Sequence, residues 1–221
     1  MFTIMAIGGA VIKTARDLLQ IVIEQRKVDV LVHNGGSIFH DFQLALEGDK
    51  LGSWHSYPLD MLLEDYSING YTSSMLCRYL GVYPYNETSY LPPDGSITKL
   101  CVDLKIPVLM FTCLGADFWQ MFGSSKQWAD LGKRQYDDFT RLCTFMRKEF
   151  HYICMGSAVI HPEVFIKALA VTGADTRSFT TTVVDFNQAY RPLTRVAKFG
   201  NYYQCTHRQY LERMVEASDG K

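Results

Sequence analysis

Three short stretches of this sequence place small residues where an apolar run gives way to a helical pattern: Gly8-Gly9-Ala10, Asn34-Gly35-Gly36-Ser37 and Gly156-Ser157-Ala158. Glycine and other small residues let a backbone approach a pyrophosphate closely, and a helix N-terminus offers it unpaired N–H groups and the positive end of the helix dipole. None of the three contains the GxGxxG fingerprint or the Walker lysine, so each alone reads equally well as a tight turn. Together in one chain they point to a nucleotide.

Titratable residues stand beside these loops. His40 and Asp41 open the helix after the second loop, where an imidazole donates to a ligand and a carboxylate either binds the ligand or caps a helix. His161 follows the third loop directly, placed for proton transfer or for a structural hydrogen bond. Asp117, in Gly115-Ala116-Asp117-Phe118, follows another apolar run, where an acid binds a ribose hydroxyl or a substrate amine, or is simply solvated. His33, His40, His161 and His207 lack the close spacing of a zinc site and no CxxC pair supports one, so no metal is expected. Absence of a GxSxG elbow and of an evident Cys/His arrangement argues against acyl transfer.

The elements that must position these residues follow from periodicity. Short apolar, β-branched or aromatic runs at 2–7, 28–32, 106–112, 152–155, 178–186 and 202–205 read as strands. Apolar residues at three- and four-residue spacing predict helices over 12–27, 38–46, 136–147, 162–170 and 208–217. Repeated strand, small-residue loop and helix units imply an α/β fold with a mainly parallel sheet and helices on both faces. Residues 47–104 read as an irregular helical and loop insertion within a single domain spanning 1–221, with 117–123 a loop or short helix.

Composition bounds the rest. At 221 residues, 48% of them hydrophobic, the chain can fill one core and is not globally disordered. Twenty-two basic against 23 acidic residues leave no net field for a polyanion, which excludes nucleic acid as an expected partner. No apolar run approaches the ~20 residues that span a bilayer, so no membrane partner is expected. The apolar N-terminus lacks a basic leading region and reads as a strand. Six scattered cysteines suggest buried thiols in a reducing, cytoplasmic compartment, and the Asn86-Glu87-Thr88 sequon is read as chance.

The loops also resemble a known family. The segments 32–42 (VHNGGSIFHDF) and 156–165 (GSAVIHPEVF), with Gly9-Ala10-Val11-Ile12-Lys13, Gly115-Ala116-Asp117-Phe118, Phe179-Thr180-Thr181-Thr182-Val183 and Tyr190-Arg191-Pro192, are similar to deoxyhypusine synthase-like proteins, most of all the bacterial branch. These segments, in matching order, cover most of the chain outside 47–104. The resemblance implies a sheet shared with sirtuin-type NAD-binding domains, with NAD across the strand ends and often touching a neighbouring subunit. It places NAD, or a related adenine nucleotide, near Gly8, Gly9, Ala10, Asn34, Gly35, Gly36, His40, Asp117, Gly156, Ser157, Ala158, Thr181 and Thr182.

The resemblance breaks at the catalyst. Deoxyhypusine synthase oxidises spermidine with NAD and passes the aminobutyl group through an imine on a lysine in a Trp-Gly-Lys segment. Here the matching stretch is Lys198-Phe199-Gly200-Asn201, and neither an amide nor glycine forms an imine. The synthase's tandem histidines are replaced by His161-Pro162-Glu163, and Ala10 stands where the bacterial branch commonly shows histidine. The expectation is therefore an NAD-type binding protein, running an NAD-dependent transfer on a small amine or polyamine with Lys198, His161 and Asp117 as candidate catalytic groups. The alternative is a catalytically inactive module that sequesters or senses the nucleotide, and a third reading is a structural oligomer with tight turns only. A homo-oligomer, dimer or tetramer, is expected from the resemblance and from the aromatic segment 54–90.

Overall fold

A computed structural model describes residues 1–48, 76, 79–80, 91–111 and 125–217. Six parallel strands form one sheet in the order β3-β2-β1-β4-β5-β6, comprising β1 (Phe2–Ile7), β2 (Val30–Asn34), β3 (Val108–Phe111), β4 (Phe150–Met155), β5 (Phe179–Asp185) and β6 (Gly200–Gln204). Among the described residues the helices given full bounds are α1 (Gly9–Glu24), α2 (Gly35–Glu47), α3 (Ile97–Asp103), α4 (Ser125–Phe145), α5 (Ile160–Thr172) and α6 (His207–Glu216). A π-helical turn (Pro192–Val196) and a 3-10 turn (Ala197–Phe199) lead into β6.

The apolar runs become central strands because both their faces are covered. Ile4, Ala6, Val30, Val32, Leu109, Phe150, Tyr152 and Val183 point to one face, under Leu142 of α4 and Phe165 of α5. Their neighbours Met5, Ile7, Leu31, Val108, Ile153, Met155 and Val184 point to the other, against Leu19 and Ile23 of α1, Cys101 of α3 and Leu211 of α6. Each buried Val, Leu, Ile, Phe or Met among these contributes about 1.5–3 kcal/mol relative to exposure. A smaller cluster joins Ile38, Phe39 and Phe42 of α2 to Leu76, Leu80 and Leu131. The α/β fold expected from the sequence is thus found, with every pairing parallel.

The short helix α3 lies in the stretch 47–104 read as helices and loops. Two details differ from the sequence reading. Helix α4 begins at Ser125 rather than near 136. Helix α1 is kinked at Ala15, whose φ of −149° and ψ of 28° break the helical run. Along α4, the pairs Lys126–Asp130 and Lys133–Asp137 are spaced i,i+4 on the exposed side, where apolar periodicity gives no signal. Cys101, Cys143, Cys154 and Cys205 are free thiols. Cys77, Cys113, Asp117 and the sequon lie outside the described residues, as does nearly all of 54–90. Leu76 and Leu80 are buried in the chain's own core. Among the described residues no helix is long and apolar enough to cross a membrane.

Candidate functional site

Strands β1 and β4 are neighbours, paired from Phe2↔Phe150 to Ile7↔Met155, yet the chain leaves them in opposite directions, to β2 on one side and β5 on the other. This is the switch point of a doubly wound sheet, where ligands bind beyond the carboxyl ends of the strands. The first and third small-residue loops meet there. Gly8 N donates to Met155 O at 2.8 Å, and Gly156 N donates to Val184 O at 3.2 Å. A Cβ on Gly8 would lie 1.8 Å from Gly156 O, so the loops touch backbone to backbone.

The second loop joins them. A Cβ on Gly9 would come within 3.0 Å of His40 Cδ2 and 3.4 Å of the Gly36 carbonyl carbon. Gly156 has φ of +66°, and a Cβ there would lie 2.9 Å from His207 Nε2 and 3.2 Å from Val11 Cγ2. The structure therefore gathers Gly8, Gly9, Gly36, His40, Gly156 and Ser157 into one patch, with Gly35 buried at the start of α2 and Ala10 and Ala158 exposed at its margin.

The helices opening on this patch end differently. Neither the N-cap of α1, Gly8, nor that of α5, Val159, makes a side-chain cap, although Ser157 Oγ accepts from His161 N in the first turn of α5 at 3.3 Å. In contrast, α2 carries a capping box: Asn34 Oδ1 accepts from Ser37 N at 2.8 Å, and Ser37 Oγ accepts from Asn34 N at 2.9 Å. The Asn34 side chain is thus consumed within its own loop. Behind it runs a buried polar chain. His33 Nδ1 lies 2.9 Å from Ser37 Oγ, and His33 Nε2 lies 3.4 Å from Thr98 Oγ1. The Thr98 hydroxyl donates to Asp41 Oδ2 at 2.7 Å.

Asp41 is fully buried and accepts from Ile97 N at 2.7 Å and Thr98 N at 2.8 Å, with Arg16 Nε 3.8 Å away. Burial raises its pKa, while Thr98, Ile97 and Arg16 pull the other way. The sequence offered Asp41 as ligand-binding group or cap. The structure makes it a cap, for α3 rather than for its own helix, and leaves it no surface for a ligand. His33 is held neutral, its pKa pushed down to about 3 by burial and then by the nearby His161.

His161 is also fully buried. Its Nε2 lies 2.9 Å from Ile7 O, which makes it the donor, and its Nδ1 has no partner. Burial lowers its pKa to about 4, against the pull of the Ile7 carbonyl. It ties the start of α5 to the end of β1, directly under the patch. Two residues to which the sequence reading gave no role at the loops, His207 having been weighed only as a metal ligand, join the same rim. Asp185 ends β5, and His207 opens α6 with its buried Nε2 unpartnered against Gly156. Their proximity depends on a strand–helix contact that no local motif announces.

The remaining candidates lie elsewhere. Thr181 pairs with Tyr152, and Thr182 with Ile153, below the carboxyl rim. Thr181 Oγ1 donates to Val196 O at 2.6 Å, and Thr182 Oγ1 lies 2.8 Å from His151 Nε2. Both hydroxyls are occupied inside the sheet layers. Lys198 is exposed and precedes the first residue of β6, at the amino end of that strand. Five residues at about 3.3 Å each put it roughly 15 Å from the carboxyl rim. Asp117 lies outside the described residues. Among the described residues no group of three metal-ligating side chains is present.

No family model and no curated protein matches the sequence. Solved structures do. ArgZ, an arginine dihydrolase from the ornithine–ammonia cycle in cyanobacteria, is 14% identical at a TM-score of 0.59, over 97% of this chain and 29% of that one. AgrE, solved as a ternary complex with ornithine and NAD+, is 13% identical at a TM-score of 0.63, over 99% of this chain and 30% of that one. A protein named as a candidate deoxyhypusine synthase from Entamoeba histolytica is 9% identical at 0.53, over 98% of this chain and 74% of that one. The chain thus spans about 30% of the length of ArgZ and AgrE. At these identities the likeness is one of fold, and the chain carries the α/β fold of a structural group that includes a deoxyhypusine synthase candidate and the NAD+-bound AgrE.

Proposed function

We propose that this protein binds an NAD-type dinucleotide, or a related adenine nucleotide, at the carboxyl rim between β1 and β4. The observation that carries the reading is the uncapped N-terminus of α1, opening at the switch point beside that of α5, whose N-cap Val159 offers no side chain and whose first turn takes only the Ser157 hydroxyl at 3.3 Å. Gly8, Gly9 and Ala10 face the pyrophosphate in this reading, with Gly156, Ser157 and Ala158 opposite and Gly35, Gly36 and His40 at the side. The buried, orphaned Nδ1 of His161 fits a site whose polar complement comes from a ligand or a water. An oxidised nicotinamide, when bound, accepts a hydride from a substrate. His161 and Ile7 contribute by fixing α5 on β1, a positioning role.

A second reading is a module that binds or senses the nucleotide without turnover, and the place of Lys198 at the far end of β6 favours it. Thermal unfolding with and without millimolar NAD, ADP-ribose and AMP tests binding. A ligand at 100 times its dissociation constant stabilises the fold by about 2.7 kcal/mol, and the absence of any shift removes the proposal. Borohydride added with NAD and spermidine tests turnover through an imine. No trapped adduct is expected, and an adduct mapping to Lys198 overturns the binding-only reading. We propose that the protein is a homo-oligomer, which light scattering at micromolar concentration decides.

A further inference from the structure

Where the chain leaves β5 and packs on the first turn of α5, one carboxylate faces three cations. Glu163 accepts from Lys167 Nζ at 2.9 Å and Arg191 Nε at 3.1 Å, and pairs with Arg195 Nε at 2.6 Å. Among the described residues it is the only carboxylate within 4 Å of any of the three. Lys167, followed by Arg195 and Arg191, holds the Glu163 carboxyl below its ordinary range. Two positive charges remain uncompensated. Like charges drawn around one carboxylate repel each other, and a second anion relieves that repulsion.

The cations are arranged to meet such an anion. Tyr190 stands 5.4 Å from Arg195 Cζ, and Arg195 Nη1 lies 2.9 Å from Thr194 Oγ1, so that guanidinium is braced on two sides. Arg191 directly precedes the buried Pro192 at the start of the π-helical turn. It reaches Glu163 through Nε, and among the described residues its Nη groups have no hydrogen-bond partner. Guanidinium forks of this kind match the oxygens of carboxylates and phosphates. The cluster sits on the first two turns of α5, the helix that opens from the turn after β4, and Arg191 and Arg195 come from the connection that follows β5.

We propose that Arg191, Arg195 and Lys167 form an oxyanion subsite that takes the carboxylate or phosphate group of a small molecule, with Glu163 as a resident competitor that keeps the cations in place. The subsite deepens the dinucleotide reading, on which it rests for its neighbourhood only: the group bound beside the nucleotide is an anion. A polyamine would be repelled there.

Isothermal titration at low salt with inorganic phosphate, succinate, NAD and NADP tests this. At least one of phosphate, succinate or NADP over NAD is expected to bind with a dissociation constant below about 1 mM. Arg191→Gln and Arg195→Gln should each weaken it about tenfold. Glu163→Gln should tighten it, since the competing carboxylate is gone, whereas a purely structural ion pair predicts no gain. Preference for NADP assigns the anion to the nucleotide, and preference for succinate assigns it to a separate carboxylate ligand. Circular dichroism of each variant separates loss of binding from loss of fold. No binding by wild type and Glu163→Gln, or equal binding by both arginine variants, overturns the subsite. Phosphate or succinate binding without any NAD-induced melting shift would instead overturn the dinucleotide reading alone.

Discussion

The loop before α2 and the loops before α1 and α5 look alike in composition, yet the chain finishes them in opposite ways. Asn34-Gly35-Gly36-Ser37 closes on itself, its asparagine and serine satisfying the first turn of α2. Gly8 supplies no side chain to α1, and the segment ending at Val159 gives α5 only the long contact from Ser157 Oγ to His161 N, 3.3 Å. A closed loop has spent its donors on its own fold, while an open one keeps them for a ligand. Glycine content cannot distinguish the two, because glycine serves close packing of chain on chain as readily as close approach to a phosphate.

The largest effect is expected where the open loops interlock. Gly8→Ala drives a Cβ to within 1.8 Å of the Gly156 carbonyl oxygen, and neither backbone can retreat without breaking the bonds to Met155 and Val184. A cost above about 4 kcal/mol is expected, enough to take most of a typical domain's stability. Urea denaturation that finds Gly8→Ala within ~1 kcal/mol of wild type would show that the loops are apart in solution.

The next effect separates the buried histidines beneath the two kinds of loop. Both are neutral when folded, with pKa values lowered to about 3 for His33 and about 4 for His161, chiefly by burial. The unfolded chain takes up protons below its ordinary value near 6.5, so the stability they contribute is full above that pH and is lost as pH falls towards 4 and 3. Between pH 6.5 and 5 each histidine should cost about 2 kcal/mol of unfolding free energy. His161→Gln should make the decline shallower by its share. An unchanged slope in that variant would mean that solvent already reaches the imidazole.

Much of this was legible in the sequence, and what was missed has a common physical cause. Strands such as Phe2–Ile7 announce themselves because both faces are covered, which demands an unbroken apolar run. The three loops were visible from their small residues and their place between strand and helix. The role of Asp41 was not, because the helix it caps begins 56 residues further on, at Ile97. The meeting of His207 with Gly156 was hidden for the same reason. Thr181 and Thr182 were drawn towards the site by resemblance, but the register sets them below the rim. Local pattern reports which element forms, and only the packing of elements reports which side chains are left free.

A smaller effect tests the closed loop. Asn34→Ala removes the side-chain half of the α2 capping box and should cost about 1 kcal/mol. Because that side chain is committed to Ser37, nucleotide-induced stabilisation should survive the change. If the melting shift with NAD disappears in a folded Asn34→Ala protein, the loop is open when ligand is bound, and the contrast drawn between the loops fails.

The smallest change in stability carries the sharpest test of the open loops. Ala10 is exposed in the first turn of α1, where no acidic residue stands. An aspartate there meets the positive end of the helix dipole and should stabilise the free protein by about 0.5 kcal/mol. The same carboxylate would stand where the pyrophosphate is proposed to bind, and its charge would oppose that of the phosphates. Ala10→Asp should therefore raise the melting temperature slightly without ligand and abolish the shift with NAD, two changes of opposite sign from one substitution. General destabilisation cannot produce that pair, because it lowers both. A retained NAD shift in Ala10→Asp would move the nucleotide away from α1 and leave the α5 side of the switch point as its place.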